Sequence, residues 1–329
     1  MIENFNFNKN TYFIAEIGNN HEGSLQFAYD LIGYASESGA NAVKFQTIVP
    51  KKLVAKTEKK RIKQLEKLCL KAYEFKKVAK FAKSQGVDFL STPFDVDSVD
   101  LLEDLQGAYK IASGDNNNLE LIEKILSKKK SIIISTGMTN LEEIKEIYKV
   151  IKKKKKEIGI LHCVSAYPVK KPYANIGVVT TLQKEFPNCI IGYSDHLIGI
   201  KGAVYATILG AKIIEKHFTI DKKFSSFRDH KISATPSEFR RMINLVEESK
   251  ILIGDSVKKI ELIEESNIPS LRRSLYSKKE IKKGEKLSKK NMTCLRPFNG
   301  LSAKKYRQVM GKKIKNNIQA GHPIFKKDI

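Results

Sequence analysis

Hydrophobic residues along this chain follow two alternating patterns from residue 12 to about residue 254. Short apolar runs rich in β-branched residues predict buried strands, and the stretches between them repeat their apolar residues at helical spacing. Several helical stretches end at glycine, and one begins with Thr235 as its N-cap, followed by proline. The predicted strands are YFIAEIG (12–18), AVKFQT (42–47), VDFLSTP (87–93), AYKIAS (108–113), SIIISTG (131–137), IGILHCVS (158–165), CIIGYSDH (189–196) and KIIEKHFTI (212–220).

Eight strands, each followed by a helix over about 240 residues in total, predict an α/β fold and, within that class, a (β/α)8 TIM barrel. An open, doubly wound sheet is the alternative architecture. Such a sheet usually carries a glycine-rich phosphate turn after its first strand, whereas AEIGNNHEGS contains no GxGxxG pattern. We therefore predict a barrel domain over residues 1–255.

The pattern changes after the last predicted helix. Residues 256–270 are predicted to be a linker, and residues 271–329 contain short strand-like pieces, turns at Gly284 and Gly321, and one short helix near SAKKYRQVM. This predicts a second, mostly β module of about 60 residues. Because a module of that size buries little apolar surface, we expect it to dock against another surface.

Composition indicates a soluble cytoplasmic protein without a membrane partner. Hydrophobic residues make up 41% of the 329 residues, and no apolar stretch approaches the roughly 18 residues of a membrane span. The start of the chain, MIENFNFNKNTYF, lacks the basic and apolar regions of a secretory signal. The four cysteines form no CxxC pair, which predicts reduced thiols.

The formal net charge of +24 raises the question of a nucleic-acid partner. The lysines are spread along the chain, and the densest run, IKKKKKEIG (151–159), lies where a helix is predicted to end and the helix dipole favours cations. No stretch interleaves basic and aromatic residues as a single-strand-binding groove does. We predict a lysine-rich enzyme surface and no nucleic-acid partner.

Polar residues collect at the carboxyl ends of the predicted strands, where barrel enzymes carry their chemistry. Lys44 and Lys110 lie among apolar neighbours, and burying a cation without a partner is costly. A single strand-end serine or threonine more often caps the next helix than binds a ligand. Two inward lysines with several hydroxyl residues nevertheless predict a site for a small polyanion, and phosphate fits it best. The strand-end candidates are Glu16, Lys44, Gln46, Thr92, Lys110, Ser113, Ser135, Thr136, Ser165, Tyr167, Ser194, Asp195, His196 and His217.

Two histidines, His196 and His217, end the last two predicted strands. Each one taken alone is more often a satisfied core histidine than a ligand. Because adjacent strands of a barrel end side by side, the two imidazoles can converge on one divalent metal. Two protein ligands would leave positions open for water and substrate, which is typical of a catalytic rather than a structural metal site.

Seven motifs in order give the chain a family resemblance. AEIGNNHEGS, AVKFQT, LSTPFD, YKIASGDNNN, IISTGM, GYSDH and EKHFT resemble the sialic acid synthase family, and the tail RRSLYSKKEIKKGEKLSKKNM is similar to that family's antifreeze-like (SAF-type) domain. The resemblance covers about 320 residues. It implies an enzyme that condenses phosphoenolpyruvate with an N-acetylated aldose, giving a nine-carbon 2-keto-3-deoxy acid.

The resemblance also implies residue roles. It makes His196 and His217 the ligands of Mn²⁺ or Mg²⁺. It implies that the acceptor sugar contacts Glu16, Tyr167 and Asp229, and Glu16 is our candidate for proton transfer. Arg296 would reach from the tail of one subunit into the barrel of its partner in a domain-swapped homodimer. The phosphoenolpyruvate contacts implied are Lys44, Thr92, Lys110, Ser113, Ser135 and Ser194.

Two departures from the family pattern leave the acceptor open between an N-acetylmannosamine-like and a legionaminic-type sugar. Phe227 and Arg228 stand where the family usually has Gly-Pro, so the path of that loop is not predicted, and the segment after KFQT lacks a clear match. KFQT and GYSDH favour the sialic and legionaminic branches over the pseudaminic one.

Two other functions compete with this interpretation. One is a class I aldolase with Lys44 or Lys110 as a Schiff-base nucleophile. The other is a tail that binds carbohydrate or nucleic acid through its positive charge. The polar strand ends argue against both.

Overall fold

The structure, a computed structural model, describes residue 2 and residues 5–153 and 157–329. Eight parallel strands form one sheet that curves into a nearly closed barrel, which confirms the predicted fold class. The lysines at positions 154–156 of the predicted lysine run lie outside the described residues, just after a helix that ends at Ile151. The strands are β1 (Tyr12–Gly18), β2 (Ala42–Thr47), β3 (Asp88–Pro93), β4 (Ala108–Ile111), β5 (Ser131–Ser135), β6 (Ile158–Cys163), β7 (Ile190–Asp195) and β8 (Ile213–His217).

The order of the strands rules out the open-sheet alternative. The ladders run β3-β2-β1-β8-β7-β6-β5-β4, so the first and last strands of the barrel are neighbours, with Glu16 paired to His217. The side chain of Gln106, just before β4, links β4 to β3. Its Oε1 accepts a hydrogen bond from the backbone N–H of Ser91 on β3 at 2.6 Å. The strands therefore enclose a barrel interior.

Helices follow the strands and cover the barrel. Their buried residues face the outer side of the sheet. In the helix that begins at Pro236, Oγ1 of Thr235 accepts a hydrogen bond from the backbone N–H of Glu238, which confirms Thr235 as the predicted N-cap. The helices are α1 (Leu25–Glu37), α2 (Pro50–Leu53), α3 (Lys59–Glu66), α4 (Ala72–Ser84), α5 (Val96–Leu102), α6 (Leu119–Ser127), α7 (Leu141–Ile151), α8 (Val178–Glu185), α9 (Lys201–Ile208), α10 (Asp229–Ile232) and α11 (Pro236–Ile253).

The barrel interior is apolar at the amino ends of its strands and polar at the carboxyl ends. Side chains on one face of a strand recur every two residues, so the same inward face carries Ile14 and then Glu16 on β1, and Ile213 and then Glu215 on β8. Below the polar layer a separate apolar cluster closes the barrel. It contains Ile2, Tyr12, Ile14, Ala42, Leu90, Ala108, Ile133, Leu161 and Ile213.

The chain divides into two compact units, residues 1–254 and 255–329. The segment predicted to be a linker contains two short helices, α12 (Leu262–Glu265) and α13 (Ile268–Leu271). The second unit has its own apolar core around Leu275 and Ile281. Its elements are the antiparallel pair β9 (Ser274–Ser277) and β10 (Met292–Leu295) and the short helix α14 (Tyr306–Val309).

No helix in the described part of the chain is both long and apolar enough to cross a membrane. The four cysteines, all within the described ranges, are free thiols.

Candidate active site

A cavity of about 1010 Å³ opens at the carboxyl ends of the barrel strands. Its walls combine deeply buried polar groups with more exposed residues at the mouth. Of the predicted site residues, the structure brings thirteen together in its lining: Glu16, Lys44, Gln46, Thr92, Lys110, Ser113, Ser135, Ser165, Tyr167, Ser194, His196, His217 and Asp229.

The buried carboxylate of Glu215 lies between the two predicted lysines. Its Oε2 is 3.7 Å from Nζ of Lys44 and 3.8 Å from Nζ of Lys110, and its Oε1 accepts from Oγ of Ser194 at 2.9 Å. Glu215 and both lysines are at most 6% exposed. One carboxylate therefore lies within ion-pair distance of both ammonium groups inside the barrel.

Glu16 provides the second carboxylate of this cluster. Its Oε2 is 2.6 Å from Nζ of Lys44, and its Oε1 accepts from the side-chain amide of Gln46 at 3.1 Å. Burial raises the pKa of Glu16, and the negative charge of Glu215 adds to that rise, although Lys44 opposes it. The pKa of Glu215 shifts the other way, since the attraction of Lys110 and Lys44 outweighs its burial and holds that pKa below the ordinary value.

The two lysines differ in their pKa shifts. Burial lowers the pKa of both, but Glu16 and Glu215 outweigh it at Lys44 and raise the pKa of that ammonium above its ordinary value. Lys110 has only Glu215 close by, so burial prevails and its pKa is lowered.

Hydroxyl groups surround the ammonium groups. Nζ of Lys44 donates to Oγ1 of Thr92 at 3.3 Å, and Nζ of Lys110 donates to Oγ of Ser135 at 2.6 Å. Oγ of Ser113 accepts from the backbone N–H of Gly137 at 3.0 Å, and a Cβ on Gly137 would lie 2.7 Å from that oxygen. The glycine therefore allows Ser113 to sit at the end of the strands.

The predicted histidine pair is brought together in the cavity wall, with ring centroids 5.4 Å apart. Nδ1 of His196 lies 2.9 Å from the carbonyl oxygen of Val164 and donates to it in the neutral ring, which leaves the lone pair on Nε2. Burial lowers the pKa of His217 well below its ordinary value, so its ring is neutral, and its Nδ1 has no hydrogen-bond partner among the described residues.

The neutral ring of His217 fits a metal site, because metal ligation requires neutral imidazole. At His196 burial lowers the pKa but the contact with Cys163 outweighs it and raises the pKa above its ordinary value, so a proton competes with an ion for that ring. Within the described ranges, no group of three or more His, Cys, Asp and Glu side chains is arranged to hold an ion. An ion bound here would depend on His196 and His217 together with water and substrate oxygen.

The mouth of the cavity carries the loop whose path the sequence did not predict. It contains Tyr167, 38% exposed, and the loop from Ser225 to Asp229 between β8 and α10. Asp229 is buried, and burial raises the pKa of its carboxyl group. Phe227 and Arg228 both line the cavity.

Three predicted residues lie outside the cavity lining: Thr136, whose Oγ1 donates to the backbone oxygen of Leu161 at 3.0 Å, Asp195, which pairs with Nζ of Lys216 at 3.1 Å, and Arg296. Arg296 belongs to the unit 255–329, where its Nε donates to the backbone oxygen of Leu271 at 2.6 Å. Its predicted role in a partner's barrel stays a prediction.

Sequence reasoning missed several polar residues of the cavity, among them Glu215 and Cys163. Both follow the inward period of two, since Glu215 precedes His217 by two positions and Cys163 follows the inward Leu161 by two. That periodicity was the available signal.

Models of two protein families match this chain. The NeuB family matches residues 31–258, and the SAF domain matches residues 272–329.

Several curated and solved proteins are similar along most of their length. The N,N'-diacetyllegionaminic acid synthase of Campylobacter jejuni is 40% identical over 92% of this chain and 96% of that protein. The pseudaminic acid synthase of the same species is 34% identical over 99% of both chains. The crystal structure of the N-acetylneuraminic acid synthetase of Leptospira borgpetersenii, in complex with citrate, superposes with a TM-score of 0.75 at 32% identity, covering 79% of this chain and 90% of that one.

Proposed function

The chain belongs to the NeuB family, and we propose that it condenses phosphoenolpyruvate with an N-acetylated aldose to give a nine-carbon 2-keto-3-deoxy sugar acid and phosphate. The observation that carries the proposal is the buried cluster of Lys44, Lys110 and Glu215 below a wide polar cavity. The names of similar synthases support the reaction class.

Phosphoenolpyruvate binds at the buried lysines in this proposal. Lys44 and Lys110 supply positive charge, while hydroxyl groups such as those of Thr92 and Ser135 supply short donors to phosphate and carboxylate oxygens. Because these donors are already oriented by each other, the substrate meets a preorganised site.

The acceptor aldose occupies the wider part of the cavity, toward Tyr167 and Asp229. The cavity wall also contains apolar side chains such as Leu53, Phe94 and Phe227, which suit the methyl groups of acylated sugars. Together with the 40% identity to a legionaminic acid synthase, this favours a diacetamido, legionaminic-type acceptor over a plain N-acetylmannosamine.

His196 and His217 would hold a divalent metal. Imidazole ligands favour Mn²⁺ over Mg²⁺. Such an ion would supply Lewis-acid polarisation of the acceptor's aldehyde oxygen.

Carbon–carbon bond formation joins C3 of the enol to the aldehyde carbon, and the aldehyde oxygen takes up a proton. The positive charge then lies on C2, where the oxygen of a water molecule adds and a proton leaves. Glu16 handles these protons in this proposal, since its carboxyl group lines the cavity and burial raises its pKa above the ordinary value. The tetrahedral species expels phosphate by cleavage of the C2–O bond, which leaves the keto group.

The test uses purified protein, phosphoenolpyruvate, Mn²⁺ and a panel of N-acetylated aldoses, with phosphate release as the readout. In ¹⁸O water the label should enter the keto acid and not the phosphate. Label found mainly in the phosphate would contradict C–O cleavage, and no phosphate release with any aldose would contradict the function.

A Schiff-base aldolase is the second candidate, favoured by the lowered pKa of Lys110. Borohydride would then trap a covalent adduct on Lys110, and a chelator would leave activity unchanged. We expect neither result.

A further inference from the structure

A buried ion pair lies directly behind the two histidines of the cavity. Nζ of Lys216 lies 3.1 Å from Oδ2 of Asp195, and both side chains are 0% exposed. Because side chains alternate between the two faces of a strand, Lys216 points into the helix layer while its neighbours Glu215 and His217 line the cavity. The ladder between β7 and β8 pairs Asp195 with Lys216, and each of the two residues immediately precedes a histidine, His196 or His217.

The ammonium group of Lys216 holds the backbone on both sides of His196. Nζ donates to Oδ2 of Asp195 and also to the backbone oxygen of Leu197. Oδ1 of Asp195 accepts a hydrogen bond from the backbone N–H of Leu197 at 2.9 Å. The segment 195–197 is therefore closed on itself and is tied, through one side chain, to the residue that precedes His217.

The helix α9 leaves room for this tied segment at Gly202. A Cβ on Gly202 would lie 2.6 Å from Cδ1 of Leu197 and 3.1 Å from Oδ1 of Asp195. A side chain at this position would press on the segment that carries His196. Because glycine has no side chain, the helix packs directly against the segment and confines it from the outside.

Stability alone does not account for an ion pair at this position. Removing two charges from water is costly, and their attraction in the interior often does no more than offset that cost. Two apolar side chains of similar size would fill the space between the strands and α9 without it. The ion pair adds a defined distance between the strand ends that carry His196 and His217, whose ring centroids lie 5.4 Å apart.

We propose that Lys216 and Asp195 are positioning residues that hold His196 and His217 at the spacing at which both rings bind one divalent cation. This inference rests on the proposed function. The orientation of the His196 ring is already set by the contact of its Nδ1 with the carbonyl oxygen of Val164, so the ion pair governs the spacing of the two rings. In the described ranges no group of three or more His, Cys, Asp and Glu side chains could hold an ion, and a site with two protein ligands depends strongly on their spacing.

The experiment compares Mn²⁺ binding by the unaltered full-length protein and by the double variant Asp195→Asn with Lys216→Met. The double change removes both charges together, so no unpaired charge is buried, and asparagine keeps an oxygen for the N–H of Leu197. We expect Kd for Mn²⁺, measured by electron paramagnetic resonance of the free ion, to rise at least about tenfold. The unfolding midpoint without metal should stay within about 5 °C of the unaltered value, because only the tie between the strand ends is lost.

Excess metal separates positioning from ligation. At saturating Mn²⁺ the kcat of the double variant should return to within about threefold of the unaltered value, because both imidazoles remain. No concentration of Mn²⁺ should restore His217→Ala. The matched control is Lys145→Met with Glu185→Gln, which removes a 3.0 Å ion pair between α7 and α8 outside the cavity lining and should leave Kd for Mn²⁺ unchanged.

The outcomes separate this inference from the function beneath it. An unchanged Kd for Mn²⁺ in the folded double variant, or no Mn²⁺ binding by the unaltered protein, would overturn the inference while phosphate release still supports the function. If the double variant does not fold, Asp195→Asn alone decides, with binding at least about threefold weaker expected and unchanged binding contradicting the inference. Weaker Mn²⁺ binding in the variant, with no phosphate release from any aldose by the unaltered protein, would overturn the function alone.

Discussion

Charge balance at the level of single residues constrains how the polar layer can bind its substrate. Lys44 and Lys110 are offset by Glu16 and Glu215, so the four groups sum to zero when all are ionised. Phosphoenolpyruvate carries nearly three negative charges, and placing it beside this neutral set would leave a large uncompensated charge at low dielectric. A divalent cation at the histidine pair and a proton on Glu16 would both reduce that excess.

The first prediction concerns the histidine pair. Replacing either His196 or His217 by alanine should lower kcat at least about 100-fold, because one imidazole cannot hold the ion. Mn²⁺ binding, followed by electron paramagnetic resonance of the free ion, should be lost in parallel, with little change in the circular dichroism spectrum.

His322→Ala provides the matched control, since that histidine is exposed in the other unit and should affect neither readout. Full turnover after exhaustive chelation, or Mn²⁺ binding retained in both single variants, would exclude the histidine site.

The second prediction concerns pH and stability. Burial lowers the pKa of His21 to about 4 from an ordinary value of 6.5. Between these values the unfolded chain binds a proton that the folded chain does not, so stability falls as pH falls through this window. At pH 5 His21 lowers the free energy of unfolding by about 2 kcal/mol, which corresponds to a fall of roughly 5 °C in the unfolding midpoint.

The test compares thermal unfolding midpoints at pH 7 and pH 5 for the unaltered protein and His21→Asn. Asparagine can replace the ring nitrogen that accepts from the N–H of Gly23 at 3.1 Å, but it does not titrate. The drop in midpoint between the two pH values should be smaller by about 5 °C in the variant. Equal drops would show that His21 is not responsible.

At the scale of secondary structure, short apolar runs rich in β-branched residues, separated by stretches with helical spacing, were sufficient to predict all eight barrel strands. Strands β1 and β2 match their predicted bounds, and the others end within a few residues of them. The polar residues at the strand ends likewise predicted many of the residues that line the cavity. Inward side chains at the carboxyl ends of the barrel strands lie close together, so they share one cavity. Glu215 was missed because its importance arises from three-dimensional pairing with lysines on β2 and β4, which are distant in sequence. The loop of Phe227 and Arg228 could not be predicted, because contacts with Glu22 and Tyr167 rather than local propensity fix it.

The third prediction concerns two glycines inside the barrel. A Cβ on Gly192 of β7 would lie 2.4 Å from the backbone oxygen of Ile213, which cannot move without shifting β8. A Cβ on Gly159 of β6 would meet side-chain atoms instead, Cδ1 of Ile213 at 3.1 Å and Cγ1 of Ile133 at 3.4 Å. Gly192→Ala should therefore lower the unfolding midpoint by more than about 10 °C or prevent folding, whereas Gly159→Ala should cost only a few degrees.

Both variants can be compared by soluble yield and thermal unfolding followed by circular dichroism. Equal midpoints for the two variants would show that the backbone of Ile213 does not exclude a side chain at Gly192.

At the scale of the whole molecule, a single chain leaves a run of large apolar side chains uncovered. Ile251 and Leu252 are 81% and 78% exposed, and Leu262 and Ile263 are 82% and 85% exposed. Ile251 and Leu252 belong to the first unit, and Leu262 and Ile263 belong to the second. The homodimer in which Arg296 of one subunit serves the barrel of the other stays a prediction.

The fourth prediction is complementation between subunits. His217→Ala and Arg296→Ala should each be nearly inactive as homodimers, but purified heterodimers should regain up to about half of the activity per site, because one intact barrel meets one intact tail. The measurement is phosphate release by heterodimers isolated with two affinity tags. Absence of recovery in heterodimers of verified composition would show that each subunit works alone.

The pairing of β1 with β8 also determines when the protein can fold during its synthesis. The ladder that closes the barrel joins Glu16 to His217, so β1 has an open edge until about residue 217 has emerged from the ribosome. Until then an apolar parallel sheet is exposed to solvent, and unpaired strand edges of this kind favour aggregation or binding by chaperones. Because the cavity takes side chains from both β1 and β8, no shorter nascent chain can assemble it, and binding of substrate or metal can stabilise the barrel only after its last strand is in place.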